Sequence, residues 1–324
     1  MTAPVESAAA SSQHAAAAPS IWSRAWSNHA PGYSFLVPWF IGFFGLTIGP
    51  IIYSFYLSFT DFDLLTAPRW TGADNYVRMF TNDPRFAAAM RVTFFYVLFS
   101  VPLKLAFALS VAMLLNRGMK GLPLYRALFY LPSLLGASVA IAILWRQIFA
   151  GNGIVNQFLT FIGVFGPNSL TGMTAPSWLS NPNYSLWTLI VLSIWQFGSP
   201  MIIFLAGLRQ IPQDMYEAAS LDGAGRWRQF WKITLPLLTP VVFFNLVIQT
   251  IDAFKSFTPA FIISAGSGGP INSTLFYTLY LYNEAFSFFR MGYASALAWF
   301  LLALIACFTA FSFLTSKYWV HYDD

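Results

Sequence analysis

The chain has 324 residues, of which 57% are hydrophobic, 19% aromatic and only 9% charged. A soluble domain carries roughly 25% charged residues, so a water-facing surface cannot be assembled from this material and the surrounding solvent must be lipid. The net charge of +5 fits a membrane protein with Lys and Arg gathered on one side rather than a nucleic-acid binder, and a single cysteine, Cys307, excludes an intrachain disulfide and a Cys-based metal site.

In chain order, residues 1–30 are Ala/Ser-rich, lack the basic start and Leu-rich core of a signal peptide, and are expected to form a disordered cytoplasmic tail. A bilayer core of about 30 Å needs about 20 apolar residues in helical form. Six segments meet that length: 33–60, 92–115, 125–149, 184–208, 236–263 and 293–316. Prolines recur inside them at Pro38, Pro50, Pro102, Pro132, Pro200 and Pro240; neighbouring helices can satisfy the carbonyls they free. Trp39, Trp145, Trp187 and Trp319 fall near span ends, where interface belts form. The expected fold is an all-α integral membrane protein with six transmembrane helices, a domain of residues 31–324.

Lys and Arg set the orientation. With the N-terminus inside, the inner segments hold Arg24, Arg117, Lys120, Arg126, Arg209, Arg226, Arg228, Lys232 and Lys317. The outer segment 150–183 holds none and 264–292 holds only Arg290, against four in 61–91: Arg69, Arg78, Arg85 and Arg91. The balance favours both termini in the cytoplasm.

The segment between the fourth and fifth spans is the exception to the apolar composition. Residues 209–232 hold seven of the 29 charges. Pro212 suits a helix start, Asp214 and Glu217 lie near its positive end, and Gly223 permits a left-handed turn before a second short helix carrying Arg226, Trp227, Arg228, Trp231 and Lys232. The expected product is a helix–turn–helix elbow, residues 209–236, with small residues at its tip that let another protein surface approach closely. An interfacial amphipathic linker would account for the second helix, but lipid contact does not call for Ala218, Ala219 and Gly223.

Residues 217–236 read E-A-A, three residues, G, nine residues, I, one residue, L-P. This resembles, without a gap, the cytoplasmic EAA loop of permease subunits in bacterial ATP-binding-cassette (ABC) importers. Residues 70–96, 125–159, 204–224 and 267–298 are similar to the sugar-permease branch, in particular to the larger permease of maltose-type and glycerol-phosphate-type importers. The resemblance implies the type I importer permease fold in the bacterial inner membrane. It also implies a coupling role for the elbow, with Glu217, Ala218, Ala219, Asp222 and Gly223 docking on an ATPase subunit. The implied partners are a second permease, two ATPase subunits and an extracytoplasmic solute-binding protein, with a sugar as the carried substrate and no nucleic acid.

No G-x-x-x-x-G-K-[ST] is present, and 223–227 follows a helix rather than a strand. The chain is therefore expected not to be an enzyme and to hold no cofactor; ATP and Mg²⁺ would be bound by the partner. A push on the elbow would tilt the fourth and fifth spans, which can bend at Gly198, Pro200, Gly207, Pro236 and Pro240. Polar residues inside spans are candidates for the solute path. On span five Asn245, Gln249, Asp252 and Ser256 share one helix face, and amides with a carboxylate suit sugar hydroxyls; span four adds Trp195, Gln196 and Ser199. Interhelical hydrogen bonding is the alternative role for these groups. Lys104 and Lys255 also lie inside spans. Lys255 sits three residues from Asp252, which fits an intrahelical pair; as a cation near the outer mouth it would instead favour an acidic sugar such as a uronate oligosaccharide. Arg146 is expected to snorkel. His14, His29 and His321 are scattered in the tails and make no metal site. Two other classes compete. An ion-coupled secondary carbohydrate transporter would find use for Asp252 but none for the elbow, and a membrane enzyme would need motifs that are absent.

Overall fold

The structure, a computed structural model, describes residues 35–118, 121–136, 138–166 and 174–321. The expected tail 1–30, with His14, Arg24 and His29, lies outside the described residues, as does Lys120. The chain divides into two compact units, Met1–Ser54 and Phe55–Asp324.

Helix α1 (Phe35–Leu57) carries no charged residue and widens into a π-helical stretch over Phe43–Ile48. That stretch contains Leu46, whose carbonyl the ring of Pro50 would strike in a regular α-helix. Widening the turn is the local answer to a proline in a spanning helix.

Within the second unit, β1 (Thr60–Asp61) pairs antiparallel with β2 (Arg69–Trp70) in a two-stranded ribbon. Helices α2 (Asp74–Thr81) and α3 (Pro84–Leu115) follow. Helix α3 begins at Pro84 rather than at residue 92. Asp83 is the reason: its Oδ1 accepts the N–H groups of Arg85 and Phe86, each at 3.0 Å, and Pro84 takes the first helical position, where no N–H is needed.

Spans three and four are both broken, span four beside Gly198 and Pro200, where a bend is expected. The third comprises α4 (Leu122–Leu135) and α5 (Val139–Ile148), whose axes differ by 96°. Helix α6 (Ile154–Phe161) comes next. The fourth comprises α7 (Pro182–Trp195) and α8 (Gly198–Leu208), bent by 43°. The elbow holds α9 (Gln213–Leu221) and α10 (Arg226–Gln229), which runs through a second π-helical stretch, Phe230–Thr234, into α11 (Leu235–Phe254). This π stretch likewise contains the residue four before a proline, Lys232 before Pro236. After a break at Lys255–Phe257 come α12 (Thr258–Ile263), α13 (Tyr277–Tyr282) and α14 (Met291–Ser316). By length and composition, four helices among the described residues can cross a membrane unbroken, and six spans result if each bent pair counts as one.

Small residues set the helix crossings. Ala89, Ala108 and Ala112 on α3 are fully buried. A Cβ on Gly207 would lie 2.8 Å from Val241 and 2.9 Å from Leu238, so α8 and α11 touch through a position that only glycine fits. At one end of this unit the Tyr277 N–H donates to Thr93 Oγ1 at 2.8 Å, and the Tyr277 hydroxyl donates to the Leu297 carbonyl at 2.7 Å. At the elbow end the chain returns after α14, and the His321 N–H donates to Thr239 Oγ1 at 2.9 Å.

Candidate functional site

A cavity of about 540 Å³ opens where spans three, four and five are each interrupted. The break in span four follows from Pro200, which has no N–H to bond the carbonyl of Gln196 four residues earlier. The Ser133 hydroxyl on α4 donates to that carbonyl at 2.9 Å and accepts the Ser199 N–H at 2.9 Å. The Gln196 side chain crosses to span three, where its Nε2 donates to the Gly136 carbonyl at 3.1 Å. A Cβ on Gly198 would lie 2.4 Å from the Phe129 carbonyl, so α4 and α8 meet backbone to backbone at this bend. Ser133, Gly136, Gln196 and Ser199 all line the cavity, and its polarity is that of a helix break whose backbone groups are bonded across to a neighbour.

The remaining wall brings together residues far apart in sequence. Gln249, Asp252, Lys255 and Ser256 line it from span five, Lys104 from α3, Tyr130 from α4 and Ser193 from α7. Asp252 and Lys255 form an i, i+3 ion pair at 3.5 Å, with both side chains more than half exposed. Two of the sequence-derived candidates do not line it. The Trp195 ring packs against Trp145, with centroids 6.0 Å apart. Asn245 is fully buried, donating from Nδ2 to the Val241 carbonyl at 3.2 Å. The polar face of span five therefore passes from the cavity at Gln249 into protein one turn lower, at Asn245. Lys104, Tyr130, Ser133 and Ser193 had no assigned site role in the sequence. For Lys104 the signal was a lone cation deep in a span, and for Ser133 its place beside Pro132.

A second cavity, about 810 Å³, is lined by Arg146, Gln147, Trp178, Ser264 and Ser267 among others. Arg146, expected to snorkel, is exposed and lines this cavity.

The elbow projects away from the buried core. Glu217, Ala218, Asp222 and Gly223 are exposed and Ala219 is half-buried. Gly223 has φ +77° and open space where a Cβ would point, so it is there for the left-handed turn and not for packing. The turn closes by the Ala224 N–H donating to the Ala219 carbonyl at 2.9 Å. The Gln229 Nε2 donates to Ser220 Oγ and to the Ala224 carbonyl, both at 2.9 Å, locking the second arm of the elbow onto the first. The hydroxyls of Tyr216 and Thr234 lie 2.9 Å apart and tie α9 to the base of span five. Leu221 at 90% exposure and Trp227 at 73% leave apolar surface at the tip.

At the far end Asp83 ties three helices together. Its Oδ2 accepts the hydroxyls of Tyr293, at 2.5 Å, and of Tyr280, while Oδ1 caps α3. Burial pushes this carboxyl up, but the two hydroxyls and the Phe86 and Arg85 N–H groups outweigh it and hold the group below the ordinary carboxylate value.

Broken spans around a polar cavity, joined to an exposed elbow, define a multi-pass membrane permease. The family described as binding-protein-dependent transport system inner membrane component matches residues 91–317, and the chain belongs to that family. It is 54% identical over 297 residues to the probable ABC transporter permease protein YesP of Bacillus subtilis (strain 168), covering 92% of this chain and 94% of that protein. It is 32% identical to the lactose transport system permease protein LacF of Rhizobium radiobacter, covering 77% and 82%. Among solved structures, a chain of a bacterial alginate ABC transporter in complex with an alginate pentasaccharide-bound periplasmic protein superposes with a TM-score of 0.74 at 22% identity, covering 92% of this chain and 97% of that one. The fold is that of an ABC importer permease, and the protein is a transport component of the inner membrane in the branch of the sugar-system permeases.

Proposed function

We propose that this chain is one permease half of an ATP-driven importer that moves a sugar or oligosaccharide delivered by a solute-binding protein. A separate ATPase subunit, which binds ATP and Mg²⁺, docks on Glu217, Ala218, Ala219, Asp222 and Gly223. A second permease completes the path, and both termini face the cytoplasm. The substrate path is lined by Gln196, Ser199, Gln249, Asp252 and Lys255; Trp195 and Asn245 support it from within the protein.

One observation carries this reading: elbow and cavity wall belong to the same rod. From Arg226 the helix runs without interruption to Phe254, about 43 Å at 1.5 Å per residue. Its lower end is held to α9 by Tyr216 and Thr234, and its upper end presents Gln249 and Asp252 to the cavity. Gly207 presses α8 against α11, so spans four and five shift as a unit. A displacement of the elbow by an ATPase is thus delivered to the polar wall as a tilt, and that tilt opens the cavity to one side at a time.

The test uses the whole importer in vesicles, with ATP hydrolysis and sugar uptake measured together. Glu217→Lys puts a positive charge where the docking face has a negative one, and Gly223→Pro demands a φ near −65° where the turn has +77°. Each variant is expected to insert and to lose the coupling of hydrolysis to uptake. Normal uptake in both would overturn the docking role.

A further inference from the structure

The inner cavity has three charged side chains among the described residues: Lys104, Asp252 and Lys255. Asp252 is the carboxylate that acts on Lys104, yet it is already 3.5 Å from Lys255. Lys104 has neither an ion pair nor a hydrogen bond among the described residues, so one positive charge is left over in a cavity inside the membrane-spanning helices. A cation held at that depth without a counter-ion is costly.

The outer cavity repeats the bias. Arg146 is its one charged lining residue among those described. The segment that carries α12 lines both cavities: Phe257, Thr258 and Pro259 line the inner one, and Ile263 and Ser264 the outer. Six helical residues span about 9 Å, roughly the length of two sugar rings. A solute moving inward would leave one unpaired cation and meet another, with no unpaired carboxylate among the described lining residues. Around these cations stand amides and hydroxyls of Gln147, Gln196, Gln249 and several serines, the donors and acceptors that sugar hydroxyls need.

Resting on the sugar-importer reading above, we infer that the carried saccharide is acidic, a uronate-type oligosaccharide, and that Lys104 is the specificity-determining cation that receives its carboxylate in the inner cavity, with Arg146 marking the outer approach. Lys255, which sequence position alone made the candidate cation, is neutralised by Asp252 and does not fill this role. Lys104 supplies a fixed charge to an anion and rejects a neutral sugar by the cost of leaving that charge unpaired.

The experiment uses the complete importer in nanodiscs, with its second permease, ATPase subunits and binding protein. Stimulation of hydrolysis over each variant's own basal rate is read with galacturonate, glucuronate and mannuronate oligomers and with the same oligomers reduced at the carboxyl to neutral sugars. The acidic forms are expected to stimulate and the reduced forms to fail. Lys104→Gln is expected to raise the half-stimulating concentration of the acidic oligomer about tenfold or more, the loss of one charge-assisted contact, while Lys104→Arg retains most of the response. Stimulation by the neutral forms equal to that by the acidic forms, or an unchanged response in Lys104→Gln, overturns the inference and leaves the sugar reading standing. Silence of the wild-type complex toward every saccharide overturns the sugar reading itself. Loss of co-purification of the second permease from Lys104→Gln would show that Lys104 pairs with a partner carboxylate, and the inference falls.

Discussion

Ser133 shows how one hydroxyl can hold a spanning helix open. Pro200 strips the Gln196 carbonyl of its helical donor, the bend at Gly198 frees the Ser199 N–H, and the Ser133 hydroxyl satisfies both. Ser133→Ala would leave a donor and an acceptor without protein partners, at a cost of about 1–3 kcal/mol. A lower thermal midpoint of the purified importer in detergent is the expected result, and an unchanged midpoint would show that water replaces the hydroxyl. Asp83 acts in the same way outside the lipid. Its folded carboxyl is held below the ordinary aspartate value of 3.8, so the ionised form stabilises the fold. That contribution is complete above 3.8 and is lost as pH falls through the lower folded value. Asp83→Asn keeps a capping side chain but loses the charge that the tyrosine hydroxyls bond. The stability gap between wild type and Asp83→Asn is expected to be widest at neutral pH and to close on acidification below 3.8; a gap independent of pH would contradict this account.

At the level of elements, glycine decides which helices move together. The Gly207 site has side-chain atoms within 2.8 Å of any added Cβ, whereas Gly223 has open space around it. Gly207→Val would wedge α8 from α11, and uptake is expected to fall well below wild type while the complex still assembles; the check is uptake normalised to membrane-inserted protein. Gly223→Ala meets no steric neighbour and costs about 1 kcal/mol for the left-handed backbone, so uptake near wild type is expected there. This contrast separates a contact through which motion is passed from a turn that shapes a surface. Proline shows a comparable division. Pro50 and Pro236 are absorbed by widening to π-helix, Pro200 coincides with an outright break, and Pro102 is carried inside the continuous helix α3. All four were visible as prolines, but which response each drew depends on neighbours. Ser133 lies 63 residues from the carbonyl it rescues.

Across the whole molecule, the positive residues and the chain's return path bear on its orientation. His321 bonds Thr239, so the end of the described chain lies at the same end of the second unit as the elbow. A reporter fused after His321 is expected to read as cytoplasmic and one inserted at Ser267 in the outer loop as extracytoplasmic. The opposite pattern would move the elbow away from any ATPase and sink the coupling scheme.

The elbow and the six spans were legible in the sequence because both are local properties. A run of apolar residues long enough for a bilayer, and a charged stretch with a turn glycine, keep their meaning whatever surrounds them. The early start of α3 is also written there, in Asp83-Pro84, a capping residue followed by a proline at the first helical position. The cavity was legible only in part. A helical face put Gln249 and Asp252 together, but the same face sent Asn245 into protein. The pairing that neutralises Lys255 could be read from i, i+3 spacing, whereas the isolation of Lys104 could not. That isolation depends on which helices pack against α3 and where they break, and those contacts arise between segments whose order along the chain does not fix their places in the bundle.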